Sequence, residues 1–185
     1  MMTTTFPGTT IEVSKLQKGS SKQLFDGIFA AGGVTLSQVS VMTGLEPYLI
    51  QNWVKRGFLT SPVKRLYSKE QFARIIIINM LRESLQIERI CALIKIIGGV
   101  LENPHDDLIG DDELYHRYVD MIATETPNIE DREAVHRAAL LAVEDVKERI
   151  PNAKRQLAGV LEVMICAHAS SMLRTRADEI MASLS

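Results

Sequence analysis

From residue 21 to residue 97 the apolar positions recur at helical spacing in short runs, each bounded by a residue that starts or stops a helix. Leu24, Phe25, Ile28 and Phe29 form a stripe that Ser21 caps and Gly32-Gly33 ends. Thr35 and Gln38 make a capping box for a helix that stops at Gly44, where a residue without Cβ suits the left-handed position. Pro47 opens the next helix, its fixed φ fitting a first turn. Val39, Leu45, Ile50 and Trp53 are spaced to fill the angle between these two helices. A very short basic hairpin, Pro62 to Tyr67, is predicted next. Ser68 and Gln71 form a second capping box. Behind it Phe72, Ile75, Ile76, Met80 and Leu81 predict a helix buried on most sides. The run of isoleucines at 75–78 would favour a strand by itself, but the cap and the length of the pattern decide for helix. Asn79 within it is expected to hydrogen-bond inside the fold. Ile87, Ile90, Cys91, Ile94 and Ile97 mark a further helix, stopped at Gly98-Gly99.

The fold class that follows is all-α with a minimal β wing: a winged helix-turn-helix domain over 21–100 and a C-terminal helical bundle over 114–185. Residues 1–20, rich in Thr, Ser, Gly and Lys without a period, are expected to be a flexible arm. Residues 101–113 hold Pro104, Gly110 and six acidic side chains and read as an acidic linker between the domains. Three helical patterns succeed it, at about 111–124, 129–150 and 153–183, divided by Pro127 and Pro151. The last is so apolar that either it is the centre of an all-α bundle or part of it buries against a second copy, with Leu161 and Met164 as the expected dimer face.

The net charge of −2 conceals an asymmetry. Residues 47–95 carry nine Lys/Arg against three Asp/Glu, and residues 102–148 carry four against fourteen. A basic module joined to an acidic one suits a protein that holds nucleic acid at one end. Cys91 and Cys166 stand in separate apolar stretches without a CxxC partner and read as reduced core thiols of a cytoplasmic protein. The apolar stretch at 157–173 is broken by Glu162, His168 and two serines, so no membrane span is expected. His105, Asp106, Asp107, Asp111, Asp112 and His116 lack the strict spacing of a metal centre and read as solvated linker; His136 and His168 read as ordinary helix histidines. No phosphate-binding glycine loop, HExxH or nucleophile elbow is present. No enzyme, no cofactor and no metal are therefore expected.

The residues left outward on the second helix of the pair, Tyr48, Gln51 and Asn52, are candidates for reading base edges, amide side chains being shaped for adenine. Lys55, Arg56, Lys64 and Arg65 are candidates for phosphates, while Gly44, Ile50 and Trp53 build the turn and its core. The order of these elements resembles the winged DNA-binding domain of the MerR superfamily. More closely, IQNWVKRG at 50–57, PVKRLYSKEQFARI at 62–75 and INML at 78–81 resemble an uncharacterised bacterial family with a MerR-like domain. Two positions depart from the superfamily: Gln51 stands where an arginine is usual and Trp53 where a tyrosine is usual, and the wing is shorter. The resemblance implies a transcriptional regulator that binds duplex DNA, and it leaves room for a small-molecule effector without identifying one. One recognition helix covers only a few base pairs, so a homodimer whose two helices reach neighbouring half-sites is expected. The rival expectation is a non-catalytic module that uses the helix-turn-helix as a docking scaffold for another protein, favoured by Gln51 and by an acidic pI of about 6.1.

Overall fold

The computed structural model describes residues 4–98, 109–124, 126–147 and 151–184. In chain order the elements are β1 (Thr4–Thr5), β2 (Glu12–Val13), α1 (Ser20–Ile28), β3 (Val34–Thr35), α2 (Leu36–Thr43), α3 (Pro47–Lys55) and β4 (Leu66–Tyr67). They continue as α4 (Lys69–Leu81), α5 (Ile87–Lys95), α6 (Asp111–Thr124), α7 (Arg132–Leu141) and α8 (Ala153–Ser183). The described chain is mainly helical, with two small antiparallel sheets, β1–β2 and β3–β4.

The centre is α4. Its capping box forms as the sequence requires, Ser68 Oγ accepting from Gln71 N and Gln71 Oε1 from Ser68 N. All of Ile75 to Ile78 are fully buried, so packing on every side overrides the strand preference of β-branched residues. α2, α5, α6 and α8 pack around it. Asn79, the polar position on α4, donates through Nδ2 to Gly8 O and Thr43 O, both at 3.0 Å. Its hydrogen bonds lie inside the fold, as expected.

Several expectations are corrected. The N-terminal segment is a docked hairpin: Thr4 pairs with Val13, Phe6 is buried, and Pro7 O accepts from the buried Tyr115 hydroxyl at 2.9 Å. Composition concealed this because the partners lie far along the chain. Ser21 does not cap α1; Gly19 holds that place, and the buried Ser21 Oγ meets His116 Nδ1 at 2.9 Å. The division into two domains also fails, since one core runs through both halves: α6 packs on α4 and α1, and α8 on α4. Of the linker proposed at 101–113, residues 101–108 lie outside the described residues. The rest does not link at all: Asp111 begins α6 and grips Arg74 of α4 in a nearly buried pair, Nε to Oδ2 at 2.6 Å and Nη2 to Oδ1 at 3.2 Å.

α7 is shorter than the pattern at 129–150 implied. It stops at Leu141; beyond that end Arg117 donates to the carbonyl of Ala142 and Lys154 to that of Glu144, Val143 and Val146 still face the core, and residues 148–150 lie outside the described residues. α8 matches its expected span, yet Leu161 and Met164 are fully buried within a single chain, so neither is a dimer face. Cys166 is exposed on α8 and Cys91 half-buried, so the thiols are not both core. By length and composition α8 is apolar enough to cross a bilayer, contrary to the expectation; 44% of that window is buried in the fold, and a core helix passes the same test.

α6 and α8 are joined by Tyr118 and His168, hydroxyl to Nδ1 at 2.6 Å. Burial depresses the imidazole from its ordinary 6.5 to about 4, so it stays neutral in the folded protein. The unfolded chain binds that proton more readily. The stability His168 contributes is therefore fully present above about pH 6.5 and is lost as pH falls towards 4, by roughly 2–3 kcal/mol. Urea unfolding at pH 7 and 4.5 should show this decline, and His168→Gln should flatten it; an equal decline in both proteins would assign the acid sensitivity elsewhere.

Candidate nucleic-acid interface

α2 and α3 are set by the signals that define them. Thr35 caps α2 through both arms of the capping box, Gly44 adopts φ 70° and ψ 8° in the left-handed region, and Pro47 takes the first turn of α3. Ser40 Oγ donates to Leu45 O at 2.7 Å, closing the turn. Val39, Leu45, Ile50 and Trp53 are buried between the helices. This forces Tyr48, Gln51, Asn52 and Lys55, spaced i, i+3, i+4 and i+7, onto one exposed face of α3. Tyr48 is 65% exposed, unusual for a tyrosine that no contact requires.

The hairpin after α3 is as short as hairpins become. Val63 and Leu66 exchange both backbone hydrogen bonds, at 3.1 and 2.9 Å, across the two residues Lys64 and Arg65. Both of those have positive φ, 50° and 65°, the geometry of a type I′ turn. Asn-Gly is the sequence that turn prefers, because side chains with a full Cβ shell are strained there by roughly 1–2 kcal/mol per residue. Here two long cations occupy it instead. The base is braced from α4, where Gln71 Nε2 donates to Thr60 O, Thr60 Oγ1 and Ser61 O. On the other side Leu66 and Tyr67 pair with Thr35 and Val34, which ties the hairpin to the start of α2. Tyr67 is buried, and burial pushes its phenol above the ordinary range.

Residues 33–118 match the model of a family described as a domain of unknown function, DUF1836. The match spans less than half of the chain, from the strand before α2 to the middle of α6, and so takes in the turn, the basic hairpin and α4. No curated protein and no solved structure matches the chain.

Of the candidate phosphate ligands, Lys55, Lys64 and Arg65 are exposed and make no ion pair among the described residues. Arg56 differs: its guanidinium meets Glu88 of α5 at 2.6 Å and lies 4.5 Å over the Phe58 ring. Both ends of that pair are about half exposed, so it is worth about 0–1 kcal/mol and Arg56 is held but not locked. Gly44, Ile50 and Trp53 have the structural places expected of them. The strain at the hairpin tip and the exposed Val63 beside it, 72% exposed, escaped sequence reasoning. The signal was available: only two residues separate Val63 from Leu66, which demands a primed turn without its usual residues. Near the linker Asp111 is taken by Arg74 and His116 Nδ1 by Ser21, while His105 to Asp107 lie outside the described residues. Among the described residues no cluster of three or more metal-ligating side chains occurs.

Proposed function

We propose that this chain is a sequence-specific duplex-DNA-binding transcriptional regulator of MerR-like winged helix-turn-helix type, with α3 reading the major groove and the hairpin tip on the phosphates. The observation that carries the reading is the tip. Two unpaired cations held at positive φ, where Asn-Gly would be relaxed, are a cost to folding that an external anion offsets. The exposed row Tyr48, Gln51, Asn52 and Lys55 supports it, since two amides beside an aromatic ring suit base edges and the lysine suits the backbone. The protein acts without catalysis and needs no cofactor in this reading.

Selection of bound fragments from random duplex DNA by the purified protein supplies the preferred site. Lys64→Ala with Arg65→Ala should then weaken binding to every duplex alike, and the slope of log affinity against log salt should shrink by about 1.8, from about 0.9 per phosphate contact. Gln51→Ala or Asn52→Ala should instead cost roughly 1–3 kcal/mol on the preferred site, less on scrambled DNA, with the salt slope kept. Lys64→Asn with Arg65→Gly, the pair the turn prefers, should hold or raise the melting temperature while losing affinity, which separates function from folding. A salt slope that ignores the tip would remove the hairpin from the interface.

The second reading is a protein-docking scaffold of the same shape. It is favoured by Gln51 in the place of an arginine and by the engagement of Arg56 with Glu88. No enriched DNA motif under low-salt conditions would make it the better one.

A further inference from the structure

The last buried residue of α8 is Ser171; every described residue from 172 to 184 is exposed. Residues 172–183 are helical and are tied back to the fold by Arg174, which donates to Glu83 O at 3.3 Å and lies 4.0 Å from its Oε2; with so little other cover they are near the limit below which an isolated helix is marginal in water. They are not polar either, for Leu173 is 68%, Ile180 53% and Leu184 83% exposed. Together with Ala177 these positions continue a stripe that starts in the packed half of the helix at Gly159, Val163, Cys166 and Ser170. The steps alternate four and three residues throughout, 159, 163, 166, 170, 173, 177, 180, 184, the spacing of a seam that faces another helix. This seam lies opposite the core face that carries Leu157, Leu161 and Met164.

The packed half of the seam is the floor of a groove. Val163, Cys166 and Ser170 lie between Leu85 on one wall and Ile129 and Val135 on the other, around a volume of about 560 Å³. A second hollow of about 430 Å³ continues along Gly159 and Val163 beside Leu93 and the half-exposed Ile96. A Cβ on Gly159 would meet nothing within 4 Å. One half of α8 thus presents an exposed apolar stripe beyond the fold, and the other half floors a mostly apolar groove, with Arg132 and Glu162 at the first hollow and Arg155 at the second.

We propose that the two halves cover each other between two copies of this chain, α8 pairing antiparallel with α8 of the second copy about a two-fold axis between Ser171 and Met172. In that register Leu173 of one copy lies over Ser170 of the other, Ala177 over Cys166, Ile180 over Val163 and Leu184 over Gly159. The two leucines meet the two smallest floor residues, and the intermediate sizes meet each other. A parallel pairing stacks Leu173 on Leu173 and leaves Gly159 against Gly159, with both hollows empty. The seam carries no charge, and in this register Arg174 of one copy stands beside Ala169 of the other and Arg176 beside Ala167, so these flanking cations meet no like charge. Residues 159–184 span about 38 Å, and a band about 20 Å wide along them is about 760 Å² per copy, near the roughly 800 Å² per partner of a stable specific interface. The pairing does not depend on what the basic hairpin binds, so it stands or falls separately from DNA recognition.

Light scattering of the full chain at micromolar concentration should give a dimer, and Leu173→Glu with Ile180→Glu should give a monomer of unchanged core helicity and near-unchanged melting temperature, because both side chains are more than half exposed and neither belongs to the core. Register is tested in a Cys91→Ala background. Ala177→Cys should cross-link with Cys166 of the second copy under mild oxidation, a bond impossible within one helix, where the two positions are about 16 Å apart. The chain without Ala177→Cys should not cross-link. A monomeric unaltered protein, a dimer without the 166–177 bond, a Cys166–Cys166 bond as in parallel pairing, or a monomer that sediments with phosphatidylcholine vesicles through α8 would each overturn the proposal.

Discussion

Asp111→Ala is expected to destabilise the protein by about 3–5 kcal/mol, the cost of leaving a buried cation without its partner. Arg74 and Asp111 expose only 9% and 11% of their side chains, and their two hydrogen bonds form a fork that fixes the start of α6 against the middle of α4. Removing the carboxylate leaves a guanidinium that is nine-tenths buried without the partner of its two hydrogen bonds. In a chain of this size each kcal/mol moves the midpoint by about 2–4 °C, so thermal unfolding should shift down by roughly 10 °C. The double variant Arg74→Met, Asp111→Leu should recover most of that loss, since replacing both charges removes the desolvation penalty along with the attraction. Equal midpoints for Asp111→Ala and the unaltered protein would mean that water already screens the pair.

Gly8→Ala should be comparably damaging for a steric reason. Its φ is +74°, and a Cβ there would lie 2.2 Å from the carbonyl oxygen of Ile76, which belongs to the buried backbone of α4 and cannot give way. The hairpin must therefore lift off. With it go the burial of Phe6, about 1.5–3 kcal/mol, and the acceptor at Pro7 for the Tyr115 hydroxyl, whose orphaning costs about 1–3 kcal/mol. The total is about 3–6 kcal/mol, read by urea unfolding. Limited trypsin digestion should report the same event as faster cleavage at Lys15 or Lys18. A variant that unfolds at the original urea concentration and resists trypsin would show that the hairpin contributes nothing.

How much of this was legible depended on where the partners sit. The caps of α2 and α4, the glycine turn, Pro47 and the four residues that fill the angle are encoded within a few positions of one another, and each was read from spacing alone. The exposed face of α3 followed by subtraction. The N-terminal hairpin was hidden because its strands are two residues long and Phe6, Pro7 and Gly8 find their contacts at Tyr115, Ile76 and Asn79, far along the chain. The joining of the two halves rested on one arginine and one aspartate thirty-seven positions apart, each unremarkable in its own segment. In α8 the apolar excess is legible in the sequence, but the face that stays exposed is not. Core stripe and seam lie on opposite faces of one helix, so a residue count sees only a helix that is apolar all round, and Leu161 and Met164 were as eligible for the outer face as Leu173.

Asn79 holds two segments with one amide group, the end of α2 through Thr43 O and the N-terminal hairpin through Gly8 O. This makes the unit that can fold larger than the unit that can be recognised by similarity. A fragment cut to residues 33–118 would keep α2, α3, the basic tip and α4, yet would strip Phe25 from Phe72 and Tyr115 and break α6 before Val119 and Met121. Its exposed α3 face and basic tip would be whole in sequence and unsupported in space. Moving this module into another protein would therefore have to carry residues 4–32, with α1, and the rest of α6 and α8 along with it.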